Sequence, residues 1–286
     1  MVRGIIPRQP AKSRRHEGRA TAARAAQSRD TSRQSRDGAR KSASPFPGSA
    51  AASAAKKTTA GYKPTSPERI KQILERLDQT YPGATCALRH GSAWELLVAT
   101  ILSAQCTDVR VNMVTPELFR KYPSPQAFAS LRPEQLEPDI RSTGFFRNKS
   151  KSLVGAAQKL VTEFGGQVPN DMEKLLSLPG VARKTANVVL GTWFGKAEGV
   201  VVDTHVHRVS RRLELTTNTD PQKIERDLMR VIPRAKWIIF SHQIIWHGRK
   251  LCVARRPKCA ECPLENLCHA ADKTWSTVDI HKNAKP

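Results

Sequence analysis

Two groups of residues in this sequence are of types and spacings that do chemistry. The first lies between Leu178 and His205, LPGVARKTANVVLGTWFGKAEGVVVDTH. It opens on Pro179-Gly180-Val181-Ala182, a turn ahead of a helical run that carries Arg183 and Lys184. Backbone N–H groups at a helix start lack intrahelical acceptors and attract anions, so such a turn suits a phosphate. A lysine just inside that helix is a possible amine nucleophile. Asp203, after the apolar Val200-Val201-Val202, is a carboxylate that can be brought back beside it. The plainer reading is a surface helix–turn–helix with a solvated lysine. A phosphate-loop reading of Lys184-Thr185 fails, because Arg183 stands where that motif needs glycine.

The second group is Cys252-x6-Cys259-x2-Cys262-x5-Cys268. Four thiolates this close in sequence can wrap one metal centre. Zinc is the generic expectation, but zinc sites commonly use two Cys-x2-Cys knuckles and only one is present here. An iron–sulfur cluster also takes four cysteines and tolerates uneven spacing. The spacing leaves both open. The first loop holds Arg255, Arg256 and Lys258, a cationic tip able to meet phosphates or to compensate the thiolates. Cys86 and Cys106 stand apart and read as small buried residues.

Composition narrows the partner. The chain has 286 residues and a net charge of +23, a balance that points to an anionic polymer, most simply nucleic acid. Residues 1–65 hold fifteen Lys/Arg against three Asp/Glu, about half of the excess. That segment is poor in large apolar residues and cannot offset its ordering entropy, so it is expected to be a disordered basic extension. A DNA tether, a dispensable solubilising tail and an organellar transit peptide all fit it. No run approaches the roughly 18 apolar residues of a membrane span, and no secretory signal is seen. We therefore expect an intracellular protein associated with DNA, in a bacterial cytoplasm or nucleoid. We also expect a monomer with no membrane contact and no obligate protein partner.

The elements that must position these groups read as helices. Ser66-Pro67 starts one that carries Ile70, Ile73, Leu74 and Leu77 and stops at Pro82-Gly83. Residues 93–102 (AWELLVATIL) are apolar nearly all round, as suits a central helix, and break into the polar Ser103–Asp108. Further helices are expected over 109–122, within 123–132, and from Asn148 or Ser150 to Phe164. Phe145 and Phe146 read either as core or as an aromatic wedge at a nucleic-acid surface. Asn170 to Glu173 is a capping-box pattern with Asn170 as cap, opening the helix that leads to the Pro179 turn. Beyond Asp203, helices are expected at 207–213, 221–231 and 235–247, the last stopped by Gly248. Convincing strand patterns are few, and the fold class is all-α.

Taken together, LPGVARKTANVVL, VDTH and the four-cysteine spacing resemble the endonuclease III family, the iron–sulfur branch of the helix–hairpin–helix DNA glycosylases. SAQCTDVRVN (103–112) and HGR (247–249) also look like that family, and the likeness covers about residues 66–275. The resemblance implies two helical lobes with a DNA cleft between them. One is a six-helix barrel near 86–196 with the helix–hairpin–helix at about 170–191. The other joins 66–85 to 197–275 and holds a [4Fe–4S] cluster on Cys252, Cys259, Cys262 and Cys268, with 276–286 as a tail. It also implies a bifunctional base-excision-repair enzyme acting on duplex DNA. Such an enzyme excises oxidised pyrimidines through a lysine Schiff base and cleaves the strand at the abasic site. The alternatives are a monofunctional iron–sulfur glycosylase and a non-catalytic helix–hairpin–helix DNA binder.

By the resemblance, Lys184 is the nucleophile and Asp203 the essential carboxylate. Gln105 fills the gap left by the flipped nucleotide, Asp108 lies in the same segment, and the Gly180 and Ala182 N–H groups meet phosphate. Arg183 is expected to lower the Lys184 pKa. Arg183, His205, Arg255, Arg256 and Lys258 complete the expected DNA-facing set. Two positions depart from the family pattern. Ala182 replaces a glycine and would resist a positive φ, and Phe145 replaces an aliphatic wedge facing the orphaned base.

Overall fold

Short polar caps and prolines start most of the helices. In the computed structural model, which describes residues 62–277, Ser66 accepts from the Arg69 N–H and Pro67 opens helix α1 (Pro67–Thr80). Ser92 caps α2 (Ala93–Leu102), Thr107 caps α3 (Asp108–Lys121), and Ser124 caps α4 (Pro125–Ala129). The chain continues through α5 (Pro133–Ile140), the 3₁₀ turn Arg141–Thr143 and the long α6 (Phe146–Phe164). It then forms α7 (Met172–Leu176), α8 (Arg183–Thr192), α9 (Thr204–Arg212), α10 (Pro221–Val231) and α11 (Trp237–Lys250). Among the described residues there is no strand, and no helix is long and apolar enough to cross a membrane.

Two hydrophobic cores organise these helices. The first gathers α2 to α8 around Leu96, Leu97, Phe128, Leu153, Leu160 and Val189. The second packs α1 against α9, α10 and α11 around Ile73, Leu77, Val206, Leu228 and Phe240. The chain therefore leaves the second core after α1, builds the first, and returns to the second through Val200–Val202. Each fully buried Leu, Ile or Phe contributes about 1.5–3 kcal/mol, so α2, sealed on nearly every face, anchors the first core.

Several local expectations are corrected. Helix α6 begins at Phe146, ahead of Asn148 and Ser150, because left-handed Phe145 turns the chain and its carbonyl accepts from the Asn148 and Lys149 N–H groups, each at 3.1 Å. Asp171, not Asn170, caps α7, accepting from the Lys174 N–H at 2.9 Å. Helix α9 starts at Thr204 because Asp203 caps it. Gly248 does not stop α11. It lies inside the helix, where an added Cβ would sit 2.9 Å from His205 Cβ, so glycine lets α9 and α11 approach.

The expected disordered extension lies outside the described residues except at its end, and there it is tied down. The Tyr62 hydroxyl donates to Glu214 at 2.7 Å, and the Tyr62 ring stacks on His269 at 4.0 Å. Of the expected C-terminal tail, Thr277 is held by Glu265 through its N–H at 2.8 Å.

Candidate active site and cluster site

The turn between α7 and α8 is held from below. Leu178 and Val181 are buried in the first core, which leaves Gly180 and Ala182 at the surface. Gly180 has φ +77°, and a Cβ there would lie 2.5 Å from Ser152 Cβ on α6, so two independent constraints require glycine. Ala182 has φ −91° and ψ 168°, ordinary extended backbone, and serves as the N-cap of α8 without a side-chain cap bond. The expected strain at Ala182 is therefore absent. The first N–H groups of α8 are left for an external acceptor.

Lys184, in the first turn of α8, is exposed and makes no hydrogen bond or ion pair among the described residues. Its neighbour Arg183 is engaged elsewhere. Arg183 Nε donates to the Glu225 carboxylate at 2.9 and 3.1 Å. Glu225, on α10 and only 8 % exposed, also accepts from Asn187 Nδ2 at 2.8 Å. Gly199 makes room, because a Cβ there would collide with this Glu225 oxygen and with the Asn187 amide. The expectation of Arg183 as a free cation beside Lys184 is corrected: a buried carboxylate holds it at the junction of the two cores.

Asp203 is half-buried at the end of the Val200–Val202 segment, and Oδ1 accepts from the His205 and Val206 N–H groups, both at 2.8 Å. The cap bonds fix the carboxylate at the positive end of α9 and leave Oδ2 without a hydrogen bond among the described residues. His205 lies beside it, with Nδ1 3.2 Å from Arg208 Nη2. Burial pushes the His205 imidazole below its ordinary pKa; Asp203 opposes this, and Arg208 and Arg249 add to it.

Gln105 and Phe145 come together. Both are exposed, Phe145 at 62 %, and both are non-glycine residues in the left-handed region, with φ of 52° and 49°. They line one groove with Gly180 and Thr185. Phe145 thus takes the surface reading, while Phe146 packs on the first core. Asp108 faces otherwise than expected: its carboxylate is taken by Arg249 Nη2 at 2.6 Å, a second tie between the two cores.

The four cysteines line a common cavity with Val209, Leu213 and Leu264. Polar groups meet three of the sulfurs, the Arg212 guanidinium and the Thr274 N–H as donors and the His247 ring in a role set by its tautomer. Arg212 Nη1 is 3.3 Å from Cys252, His247 Nε2 3.6 Å from Cys262, and the Thr274 N–H 3.4 Å from Cys259. Burial pushes the Cys262 thiol up to about 12 and the Cys268 thiol to about 11, so both ionise there only against a strongly positive centre. Four cysteines around one cavity, with a guanidinium and a backbone N–H at two of the sulfurs, fit a thiolate-held metal centre with an outer shell of hydrogen bonds. Arg255, Arg256 and Lys258 are exposed on the loop between Cys252 and Cys259, with Lys258 3.8 Å from Glu261. Cys86 and Cys106 are half-buried against the first core.

No local sequence pattern marks Glu225, Arg212 or Arg208. The HGR stretch held the only signal, for His247 and Arg249.

Residues 98–234 match the family model of the HhH-GPD superfamily base excision DNA repair protein, and residues 252–268 that of the iron–sulfur binding domain of endonuclease III. Endonuclease III of Synechocystis sp. is 58 % identical over 204 residues, covering 71 % of this chain and 93 % of that protein. Endonuclease III of Bacillus subtilis is 43 % identical over 207 residues, covering 72 % of this chain and 94 % of that protein. Among solved structures, a trapped endonuclease III–DNA covalent intermediate aligns with a TM-score of 0.68 at 42 % identity, over 71 % of this chain and 96 % of that one. A thermostable thymine-DNA glycosylase shares the fold at 22 % identity, with a TM-score of 0.63 over 70 % of this chain and 95 % of that one. With its hairpin, its lysine and its four-cysteine cavity, the chain belongs to the endonuclease III family of DNA glycosylases with AP lyase activity and a [4Fe–4S] cluster.

Proposed function

We propose that this chain excises oxidised pyrimidines from duplex DNA through a Schiff base on Lys184 and then cleaves 3′ to the abasic site by β-elimination. One observation carries the reading: Lys184 is exposed and unpaired one residue inside α8, directly behind a glycine turn with free N–H groups. A surface lysine of ordinary purpose would not need so constrained a turn in front of it. Support also comes from the trapped covalent complex of the similar endonuclease III with DNA.

The target nucleotide must leave the stack, because its sugar carbon is inaccessible inside the duplex. Gln105 enters the gap and Phe145 abuts the orphaned base, while the Gly180 and Ala182 N–H groups hold a backbone phosphate. The neutral Lys184 amine attacks C1′, the C1′–N bond breaks, and the base departs with a proton. Asp203, whose Oδ2 is free, stabilises the cationic sugar and relays protons. The Lys184 nitrogen gives up a proton through Asp203, the C1′–O4′ bond breaks with O4′ taking up a proton, and the open sugar is held as the imine. Loss of its C2′ proton then expels the 3′ phosphate.

The two cores correspond to lobes at 86–196 and at 66–85 with 197–275, with DNA between them. Asp108 and Arg183 serve as ties across that junction rather than as phosphate contacts. His205 backs the Asp203 carboxylate. The four cysteines would hold the cluster, whose iron–thiolate bonds cross-link the C-terminal loops so that Arg255, Arg256 and Lys258 face phosphates. The enzyme acts inside the cell as a monomer and needs no protein partner.

The test is a nicking assay on duplexes carrying thymine glycol, dihydrouracil, an abasic site or 8-oxoguanine. The reading expects excision and a 3′ nick at both pyrimidine lesions and a nick at the abasic site. Salt-sensitive binding to all four without nicking would reject it in favour of a non-catalytic binder.

A further inference from the structure

The groove that holds Gln105 and Phe145 is built over a buried ammonium. Lys149 stands in the first turn of α6 and is 5 % exposed, yet it makes no ion pair among the described residues. Its Nζ donates to the Leu102 and Thr143 carbonyls, each at 2.8 Å. A cation in that position faces the positive end of its own helix, and burying a charge without a counter-ion is costly. Burial accordingly pushes its pKa below the ordinary lysine value. The compensation comes from carbonyls: Leu102 ends α2, where the helix dipole is negative, and Thr143 ends a 3₁₀ turn. An apolar side chain would fill the same space without these costs, so packing alone does not account for a lysine.

The two acceptors are placed with respect to the two exposed residues. Leu102 precedes Gln105 by three residues, and Thr143 precedes Phe145 by two. Both Gln105 and Phe145 hold left-handed backbone, which persists in non-glycine residues only where the surroundings over-determine it. We propose that Lys149 is a positioning residue that locks the Gln105 and Phe145 loops into one unit, so that both enter the duplex together. The inference rests on the reading of Gln105 and Phe145 as DNA probes given above. Lys149 touches no reacting atom and acts only through these loops.

The experiment is a set of double-mutant cycles in the full-length, cluster-loaded protein. Single-turnover excision is measured on a duplex with thymine glycol opposite 2-aminopurine, whose fluorescence reports unstacking. Lys149→Met should slow excision on the order of 10²-fold, with a smaller change in affinity, and should abolish the fluorescence rise on binding. Gln105→Ala and Phe145→Ala should each slow the parent enzyme but add little in the Lys149→Met background. Additive losses in the cycles would overturn the inference while leaving the probe reading intact. If Gln105→Ala and Phe145→Ala alone change neither rate nor fluorescence, the probe reading falls and the inference with it. Lys149→Gln, whose shorter amide cannot hold both carbonyls, should behave as a milder Lys149→Met. It carries the same cycles should Lys149→Met not fold, and parent-like behaviour of Lys149→Gln would count against the inference.

Discussion

Arg183 Nε lies 2.9 Å from a Glu225 carboxylate oxygen, and this contact joins the helix that carries Lys184 to a helix of the other core. The carboxylate is nearly fully buried and also holds Asn187, so it sets how α8 meets α10. Glu225→Ala is expected to cost about 2 kcal/mol, the scale of a charge-assisted hydrogen bond lost from a partly buried site. Excision should slow more than substrate binding weakens, because α8 is displaced relative to Asp203. Chemical denaturation with single-turnover kinetics reads both, and a variant that loses stability at full excision rate would contradict the positional role.

The turn ahead of α8 predicts opposite outcomes for two small substitutions. Gly180→Ala meets both a positive φ and Ser152 and should cost about 1–2 kcal/mol in backbone strain, together with a clear loss of DNA affinity. Ala182→Gly should leave affinity within a few-fold, since Ala182 already holds an extended conformation. Fluorescence anisotropy with an abasic-site analogue duplex compares them. Equal effects would mean that the turn is not held as described.

The loop between Cys252 and Cys259 predicts a salt signature. Arg255→Ala, Arg256→Ala and Lys258→Ala should each weaken binding to all duplex sequences alike and reduce the slope of log affinity against log salt by about 1. Lys258→Ala should give the smallest effect, because Glu261 sits 3.8 Å from the ammonium. An unchanged slope for all three would remove the loop from the interface.

Stability should fall as pH drops from 7 toward 5, partly through His242. Burial holds this imidazole below its ordinary value, so across that window the unfolded chain, titrating near about 6.5, binds a proton that the folded chain refuses. The contribution is therefore present above about pH 6.5 and is lost as pH falls toward the folded value. His242→Gln should flatten the pH dependence of urea unfolding. An unchanged dependence would show that His242 titrates normally in the fold.

Much of this was legible in sequence, because the informative features were local. Proline at the first helical position and a Ser or Asp cap before it define the starts of α1 and α10. The apolar stretch 93–102 coincides with α2. Errors arose where tertiary contacts chose between equivalent local options. Asn170 and Asp171 are both competent caps by residue type, and it is Asp171 that accepts from the Lys174 N–H. Gly248 reads as a stop, but its lack of a side chain serves the approach of His205 instead. Arg183 and Asp108 read from sequence as members of a DNA-facing set, and Lys149 carries no local signal. Their roles depend on Glu225, Arg249 and two loop carbonyls that lie far off in the chain or across a turn. The candidate residues were visible one by one, but the contacts that orient them join segments far apart in the chain.

In the proposed reaction Lys184 forms the covalent bond to DNA. Borohydride reduction of the full-length protein on an abasic-site duplex, followed by nuclease digestion and peptide mass mapping, locates that bond. A deoxyribose remnant on Lys184 and no trapped complex with Lys184→Gln are expected. A remnant on any other amine, or undiminished trapping by Lys184→Gln, would contradict that role for Lys184.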